Sequence, residues 1–352
     1  MKSNKSSYLL SVIVLAALTA CGGGGGGTTV VNTPAPAPAP APGPGPTTPL
    51  TGTLVTSVTA PAYAAVSEEL AAFNLLNAER GQCGFGLLAQ NTLLDTSAKN
   101  HADWMLINNY VGHIEDGAAA PQGFTGITPP DRTTAAGYSA AAANVSETLA
   151  EDVGITSIVG YGASSVRGLL SAPYHLMGMM APYKDVGVSI RSRDSVTSLV
   201  PNGLSRAAAF NYGVATGNDY QLADSSAVST YPCAGVTGVN YRLRGEAPNP
   251  VPGRDLAANP LGHPILVMAR KGQTLVITSA SMVDMSTGLN VALRPPVMAS
   301  NDSNFGVNDG YMGYVIPDAA LTQNTSYQAT VNGTNNGVAF SRTFTFSTGS
   351  GG

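Results

Sequence analysis

Apolar residues recur at helical spacing in the first half of this chain and alternate two by two toward its end. Between Tyr63 and Arg80, Leu70, Phe73 and Leu76 recur at three-to-four spacing with Asn74 and Asn77 beside them, which predicts a helix stopped by Gly81. Leu94, Ala98, His101, Ala102 and Met105 share one face of a second predicted helix over Leu93–Asn109. His101 lies inside that apolar stripe, so it reads as a hydrogen-bonded core residue rather than a ligand. Glycines and prolines then break the pattern from Gly117 to Gly137, where Pro129-Pro130-Asp131-Arg132 suits the start of a short helix. Val153–Leu170 reads as a further helix, loosened by Gly160, Gly162 and Gly168. Val186–Ile190 and Ala207–Val214 read as strands.

Beyond Cys233 the texture changes. Glu246-Ala-Pro-Asn-Pro-Val-Pro-Gly253 reads as a proline-rich joint, followed by short β-rich runs at Pro264–Ala269, Thr274–Ser279, Gly310–Ile316, Tyr327–Val331 and Val338–Phe346. In the last of these, Val338, Phe340, Phe344 and Phe346 fall on one face by period-two alternation. Asn335-Asn336-Gly337 supplies residues that tolerate positive φ for the hairpin before it. Strands at this spacing predict a β-sandwich over residues 254–350.

The first twenty residues follow another logic. Lys2 and Lys5 precede an apolar run from Leu9 to Ala17, a pattern too short for a lasting membrane span and suited to a secretory signal over residues 1–20. Leu18-Thr-Ala-Cys21 looks like a bacterial lipobox, which implies lipidation of Cys21 and attachment to a membrane; the alternative is ordinary cleavage nearby, leaving Cys21 free. Gly22, rather than an aspartate, follows the cysteine, and this points to the outer membrane of a Gram-negative cell. Residues 21–60 read as a disordered tether. Its glycine run is flexible, and its Pro-Ala and Pro-Gly tract from Pro34 to Pro46 is a semi-rigid polyproline II spacer, roughly 40 Å long at about 3.1 Å per residue.

Composition narrows the partners. Charged residues make up 11% of the chain and its formal net charge is −4, with no basic cluster, which argues against nucleic acid as a partner. Besides Cys21 there are two cysteines, Cys83 and Cys233, and in an exported chain these are expected to pair; two buried free thiols are the alternative. Asn301-Asp-Ser-Asn304 with Asn308-Asp309 could form an oxygen-ligand calcium loop, although such clusters are also common as plain turns.

Two of the chain's four histidines sit in short, distinctive segments, Tyr110-Val-Gly-His-Ile-Glu-Asp-Gly117 and Ser171-Ala-Pro-Tyr-His175, and a third such segment is Asn144-Val-Ser-Glu-Thr-Leu-Ala150. His113, Glu147 and His175 form the candidate site. Two imidazoles and a carboxylate converging on a cleft could hold a divalent cation (zinc or magnesium, with water completing the shell), perform acid–base work with Ser146 or Ser171, or form a buried hydrogen-bonded network. Glu115 reads as a solvated turn carboxylate.

These segments resemble the CAP superfamily of cysteine-rich secretory, antigen 5 and pathogenesis-related proteins, in its bacterial form. The resemblance runs in order through Leu76-Asn-Ala-Glu-Arg80, Cys83-Gly84, Ala98-Lys-Asn-His-Ala102, His113, Asp116-Gly117, Asp131-Arg132, Ala136-Gly-Tyr138, Ser146-Glu147, Ser171 to His175, Tyr183-Lys-Asp-Val-Gly-Val188 and Phe210-Asn-Tyr-Gly213. It implies an α+β chain in which a CAP-type α-β-α sandwich (61–218) is joined by a linker (219–253) to an all-β sandwich that looks like an immunoglobulin-like accessory domain. It also implies a central cleft with two histidines and two acids, in which His113, Glu147 and His175 match three members. The second acid belongs on the helix before the second histidine, yet Val153–Tyr174 contains no Asp or Glu. The reading is therefore an envelope protein that binds a lipid, glycan or protein ligand, with a divalent-cation-assisted hydrolase at the same cleft as the alternative.

Overall fold

The computed structural model describes residues 50–197, 200–306 and 309–351. Residues 1–20, Cys21 with its expected lipid, and the Pro-rich tract lie outside that range. The first helix, α1 (Glu68–Gln82), starts later than its apolar spacing predicts because Ser67 caps it, its hydroxyl accepting the Leu70 N–H at 3.1 Å. Gly81 does not stop it; the helix continues through Gln82 and Cys83 is its C-cap. A two-residue strand, β1 (Ala89–Gln90), precedes α2 (Thr92–Asn108), whose N-terminus is capped by Asn91. The short helix α3 (Pro129–Ala135) opens with a capping box between Thr128 and Asp131.

The stretch expected to begin a helix at Val153 behaves differently. β2 (Val145–Val153) is a strand, and α4 (Tyr161–Leu170) starts only after a loop in which Gly154 and Gly160 take positive φ. After α5 (Pro173–Met180) come β3 (Asp185–Ser192) and β4 (Leu204–Gly213), where strands were expected. The sheet order is β1-β3-β4-β2, with β1 and β3 parallel and the other pairs antiparallel.

Both faces of this sheet are covered by helices, and β4 shows how. Its Ala207 and Ala209 pack with Ala98, Ala102 and Met105 of α2, while Ala208, Phe210 and Tyr212 join the core that holds α1, α4 and α5. Gly187 of β3 lies so close to α2 that a Cβ there would stand 2.0 Å from the Leu94 carbonyl carbon. Small residues thus set the depth to which α2 settles.

The rest of the chain is two antiparallel sheets. One has the order β5-β6-β9-β8, from β5 (Ser229–Tyr231), β6 (Ile265–Met268), β8 (Val297–Met298) and β9 (Met312–Val315). The other, β11-β10-β7, comprises β7 (Leu275–Asp284), β10 (Ser326–Asn335) and β11 (Val338–Ser347). Asn336 and Gly337, at φ 48° and 80°, make the tight β10–β11 turn. Of the alternating residues in β11, Phe344 and Phe346 are buried, whereas Val338 is exposed. The chain is therefore α+β.

Two expected boundaries need correction. Residues 219–253 are not a free linker: β5 pairs with β6, Val236, Val239 and Leu243 are buried, and the Val239 N–H donates to the Ser347 carbonyl at 3.2 Å. Nor does the tether run to residue 60. The Thr53 N–H donates to the Leu222 carbonyl at 2.6 Å, the Val55 N–H to Gln221 at 2.8 Å, and the Leu87 N–H to the Val55 carbonyl at 2.8 Å. Backbone groups paired in this way are what hold an irregular segment in place. One apolar core runs from Ala72 and Phe73 of α1 to Phe344 and Phe346 of β11, so the helical and all-β parts share an interior.

Cys83 and Cys233 form a disulfide with Cα atoms 5.4 Å apart, joining the end of α1 to the residues after β5. They are 150 residues apart, and a loop of that size stabilises by about 5 kcal/mol in the chain-entropy account. Replacing both cysteines by Ser is expected to lower unfolding stability by an amount of that order, and unreduced peptide mapping of the wild type should recover the linked pair. Recovery of two free thiols from protein purified under oxidising conditions would refute the pairing.

Candidate functional site

Strand β2 is an edge of the first sheet, and the two candidate histidines reach it from opposite layers. His113 sits in the loop between α2 and α3, while His175 lies on the first turn of α5, packed on the other side of β2. Their ring centroids are 6.5 Å apart. Both line a cleft of about 640 Å³, together with Glu151, Ser171, Arg206 and Glu246. A volume of this size suits a small organic ligand.

Glu147 stands behind His113 and does not open into this cleft. Its carboxylate is buried; Oε1 lies 3.1 Å from His113 Nδ1 and accepts from Arg132 at 2.8 Å, and Oε2 accepts from the Asn211 amide at 2.7 Å. Asn211 is its direct cross-strand partner on β4. Burial alone would raise the Glu147 pKa, but the His113 hydrogen bond and the neighbouring His101 and Arg132 outweigh it and hold the pKa at about 2. Arg132 also donates to the His113 carbonyl at 3.0 Å, so one guanidinium fixes both the backbone of His113 and the partner of its ring.

His101 is a core residue, as its place in the apolar stripe predicts. Its Nδ1 is 2.9 Å from Glu115 and its Nε2 3.0 Å from the Gly112 carbonyl. Glu115 corrects the expectation of a solvated turn carboxylate: it is fully buried, and its Oε2 accepts the Thr125 N–H at 2.8 Å. The acid belongs to the same buried network, because an unpaired Arg132 in this interior would be costly.

His175 has a carboxylate of its own from an unexpected place. Its Nδ1 lies 2.8 Å from Glu246 Oε1, in the stretch read as a linker. Burial pulls the His175 pKa down, but the Glu246 hydrogen bond and charge, with Glu151, raise it above its ordinary value. Burial likewise raises Glu246 and Glu151, against the pull of His175. Each imidazole is thus backed by one buried carboxylate and keeps its other ring nitrogen for the cleft.

The structure separates the expected set: Glu147 is held behind His113, and His175 pairs with Glu246 instead. Glu147 is occupied by Arg132 and Asn211, and among the described residues no three His, Cys, Asp or Glu side chains could hold a metal ion together. The Asn301–Asp309 loop, considered for calcium, spends its described carboxylates locally: Asp302 accepts from Tyr174 Oη at 2.6 Å and the Asn304 N–H at 2.8 Å, and Asp309 accepts the Gly306 N–H at 2.9 Å. Asn308 lies outside the described residues.

Glu151 and Glu246 were missed in the sequence. Glu147 and Glu151 share a face of β2 by strand alternation, a signal hidden as long as the strand goes unrecognised. Glu246 is the only carboxylate between Asp224 and Asp255, which was the one available hint. Compared with known proteins, the chain matches no family model and no curated protein.

Glu147→Gln, which leaves Arg132 buried without its closest carboxylate, is expected to cost about 3–5 kcal/mol of unfolding free energy in denaturant titrations. The pH dependence follows from the same group. Its pKa falls from 4.5 to about 2 on folding, so its contribution is complete above pH 4.5 and is lost as pH drops toward 2. Acid titration of the wild type should lose stability across that window, and the Gln variant should lack that component.

Proposed function

We propose that this chain is a CAP-type protein of the cell envelope that binds a small ligand in the cleft between His113 and His175. The carrying observation is that cleft of about 640 Å³, walled by two imidazoles that are each fixed by a buried carboxylate. Paired, oriented imidazoles without a nucleophile beside them suit recognition of a polar group. Ser171 turns its hydroxyl to the Gly168 carbonyl at 2.6 Å and so does not serve either histidine.

Three further features support the reading. The ordered motif resemblance covers both histidines and Glu147, a helix-covered sheet carries them, and exposed apolar residues (Val111, Ile155 and Val159 on loops, Val153 at the end of β2) stand next to the cleft segments. An apolar margin beside a polar cleft favours an amphiphile, a lipid with its headgroup at the imidazoles, over a glycan or a protein ligand. Glu246 takes the part of the second acid that the CAP resemblance implies and α4 lacks. The all-β part, in this reading, is an immunoglobulin-like accessory domain. The leader with its Leu-Thr-Ala-Cys21 segment supports export and lipid anchoring at the outer membrane, and among the described residues no helix is long and apolar enough to cross a membrane.

A second reading, a cation-assisted hydrolase, draws on the same carboxylate-backed imidazoles, which also suit proton transfer. Native mass spectrometry of the purified chain, before and after chelation, separates the two. The binding reading predicts a co-purified small molecule that survives chelation and disappears in the His113→Gln/His175→Gln variant. A bound metal mass removed by the chelator would favour the hydrolase. Full retention of the small molecule in the double variant would sink the cleft as its site.

A further inference from the structure

A second cleft, of about 450 Å³, lies on the other side of α5, where the first sheet's helices meet the β-rich part. Four tyrosines line it, Tyr174, Tyr183, Tyr220 and Tyr311, with Lys271 and Asp309 at the same cleft. Nothing in the His113–His175 reading uses any of them.

Its aromatic groups are organised by the fold. Tyr183 and Tyr220 are tilted against each other with centroids 5.8 Å apart, and Tyr183 in turn stacks on the buried Tyr212 at 5.9 Å. The Tyr220 hydroxyl donates to Asn144 Oδ1 at 2.8 Å, and that of Tyr174 donates to Asp302 at 2.6 Å, so both rings are held from the hydroxyl end. Tyr174 and Tyr220 remain only half-buried. Fixed, part-exposed rings of this kind offer apolar surface at little entropic cost.

The charges complete the chemistry. Lys271 Nζ stands 4.5 Å from the Tyr220 centroid and 5.2 Å from that of Tyr311, and it makes no hydrogen bond or salt bridge among the described residues. The cation–π contacts hold the ammonium in place while its N–H groups remain free to donate. Asp309 also lines the cleft; one of its carboxylate oxygens accepts the Gly306 N–H, and the other is the acceptor left for a ligand. The site therefore joins ring surface, a strong donor and a strong acceptor, and its two formal charges offset each other. A ligand suited to all of these presents apolar C–H faces together with hydroxyls that both donate and accept, and carries no net charge.

We propose that the Tyr174–Tyr183–Tyr220–Lys271 cleft is a binding site for a neutral oligosaccharide. A sugar ring lies against the tyrosine surfaces, with its hydroxyls on Lys271 and Asp309. The site is separate from the histidine cleft.

The test uses the full chain and four probes: the hexasaccharides of cellulose, starch and chitin, and an anionic galacturonate hexamer, measured by isothermal titration calorimetry. At least one neutral hexasaccharide is expected to bind, and Lys271→Ala and Tyr220→Ala should each weaken it about tenfold or more, equivalent to about 1.4 kcal/mol. His113→Gln should leave it unchanged. Tyr220→Phe, which keeps the ring and loses the Asn144 hydrogen bond, should retain most of the affinity and guards against misfolding of the Ala variant. The proposal is overturned if no neutral probe binds, if the galacturonate hexamer binds more tightly than every neutral one, or if His113→Gln abolishes binding while Lys271→Ala does not.

Discussion

The buried guanidinium of Arg132 is the contact on which the mouth of the histidine cleft depends. It donates to Glu147 at 2.8 Å and to the His113 carbonyl at 3.0 Å, and Glu115 approaches its Nε at 3.7 Å. A charge with no exposure is tolerated only when paired and hydrogen-bonded. Meeting that requirement brings four parts of the chain to one point: β2 through Glu147, α2 through His101, the loop that carries His113 and Glu115, and α3 through Arg132 itself. The Gly- and Pro-rich stretch after His113 has little regular structure of its own, and this network holds it. His113 is placed as a consequence, its ring set by Glu147 and its backbone by Arg132.

The second imidazole is placed by different means. Arg80, fully buried at the end of α1, donates to the Met179 and Ala181 carbonyls at the end of α5, and to those of Phe85 and Gly86. Four carbonyls around one guanidinium satisfy both the helix terminus and the charge, though burial still lowers the Arg80 pKa to about 10. With α5 fixed in this way, His175 needs a partner, and Glu246 reaches it from beyond β5. That partner can be in place only if the β-rich half is folded against the helices, because the segment from Val236 to Leu243 is pinned by β11 and by a bridge from Leu243 to Leu261. The shared core and the Cys83–Cys233 link are thus conditions for the cleft and not only for stability.

This distinction explains what could be read from the sequence. The helices α1 and α2 and the strands β10 and β11 show in local spacing because each buries one regular face, while β3 and β4, buried on both faces, show as short apolar runs. His113 and His175 stand out through the segments around them. β2 was not legible, since Val145–Val153 mixes buried Leu149 with the acids Glu147, Glu151 and Asp152, and its strand character comes from pairing with β4. Glu115 looked solvated because nothing local shows that Arg132 and His101 will enclose it. Glu246 lay beyond reach for the same reason: its partner is 71 residues away, and only the packing of two sheets brings them together.

Helix α5 is the wall common to both clefts. Tyr174 and His175 are adjacent in sequence, yet one faces the tyrosine cleft and the other the histidine cleft, as successive residues on a helix diverge by about a quarter turn. A change that shifts the α5 backbone therefore disturbs both sites, whereas one confined to a side chain facing a single cleft reports on that cleft alone. Residues that touch only one cleft separate them: His113 and Glu246 on one side, Tyr220 and Lys271 on the other. His113 comes from the Arg132 network and Lys271 from the turn between β6 and β7, so the two walls facing α5 belong to different parts of the fold. Independence of the two sites rests on that separation, with rigidity of the shared wall supplied by the carbonyls that Arg80 holds.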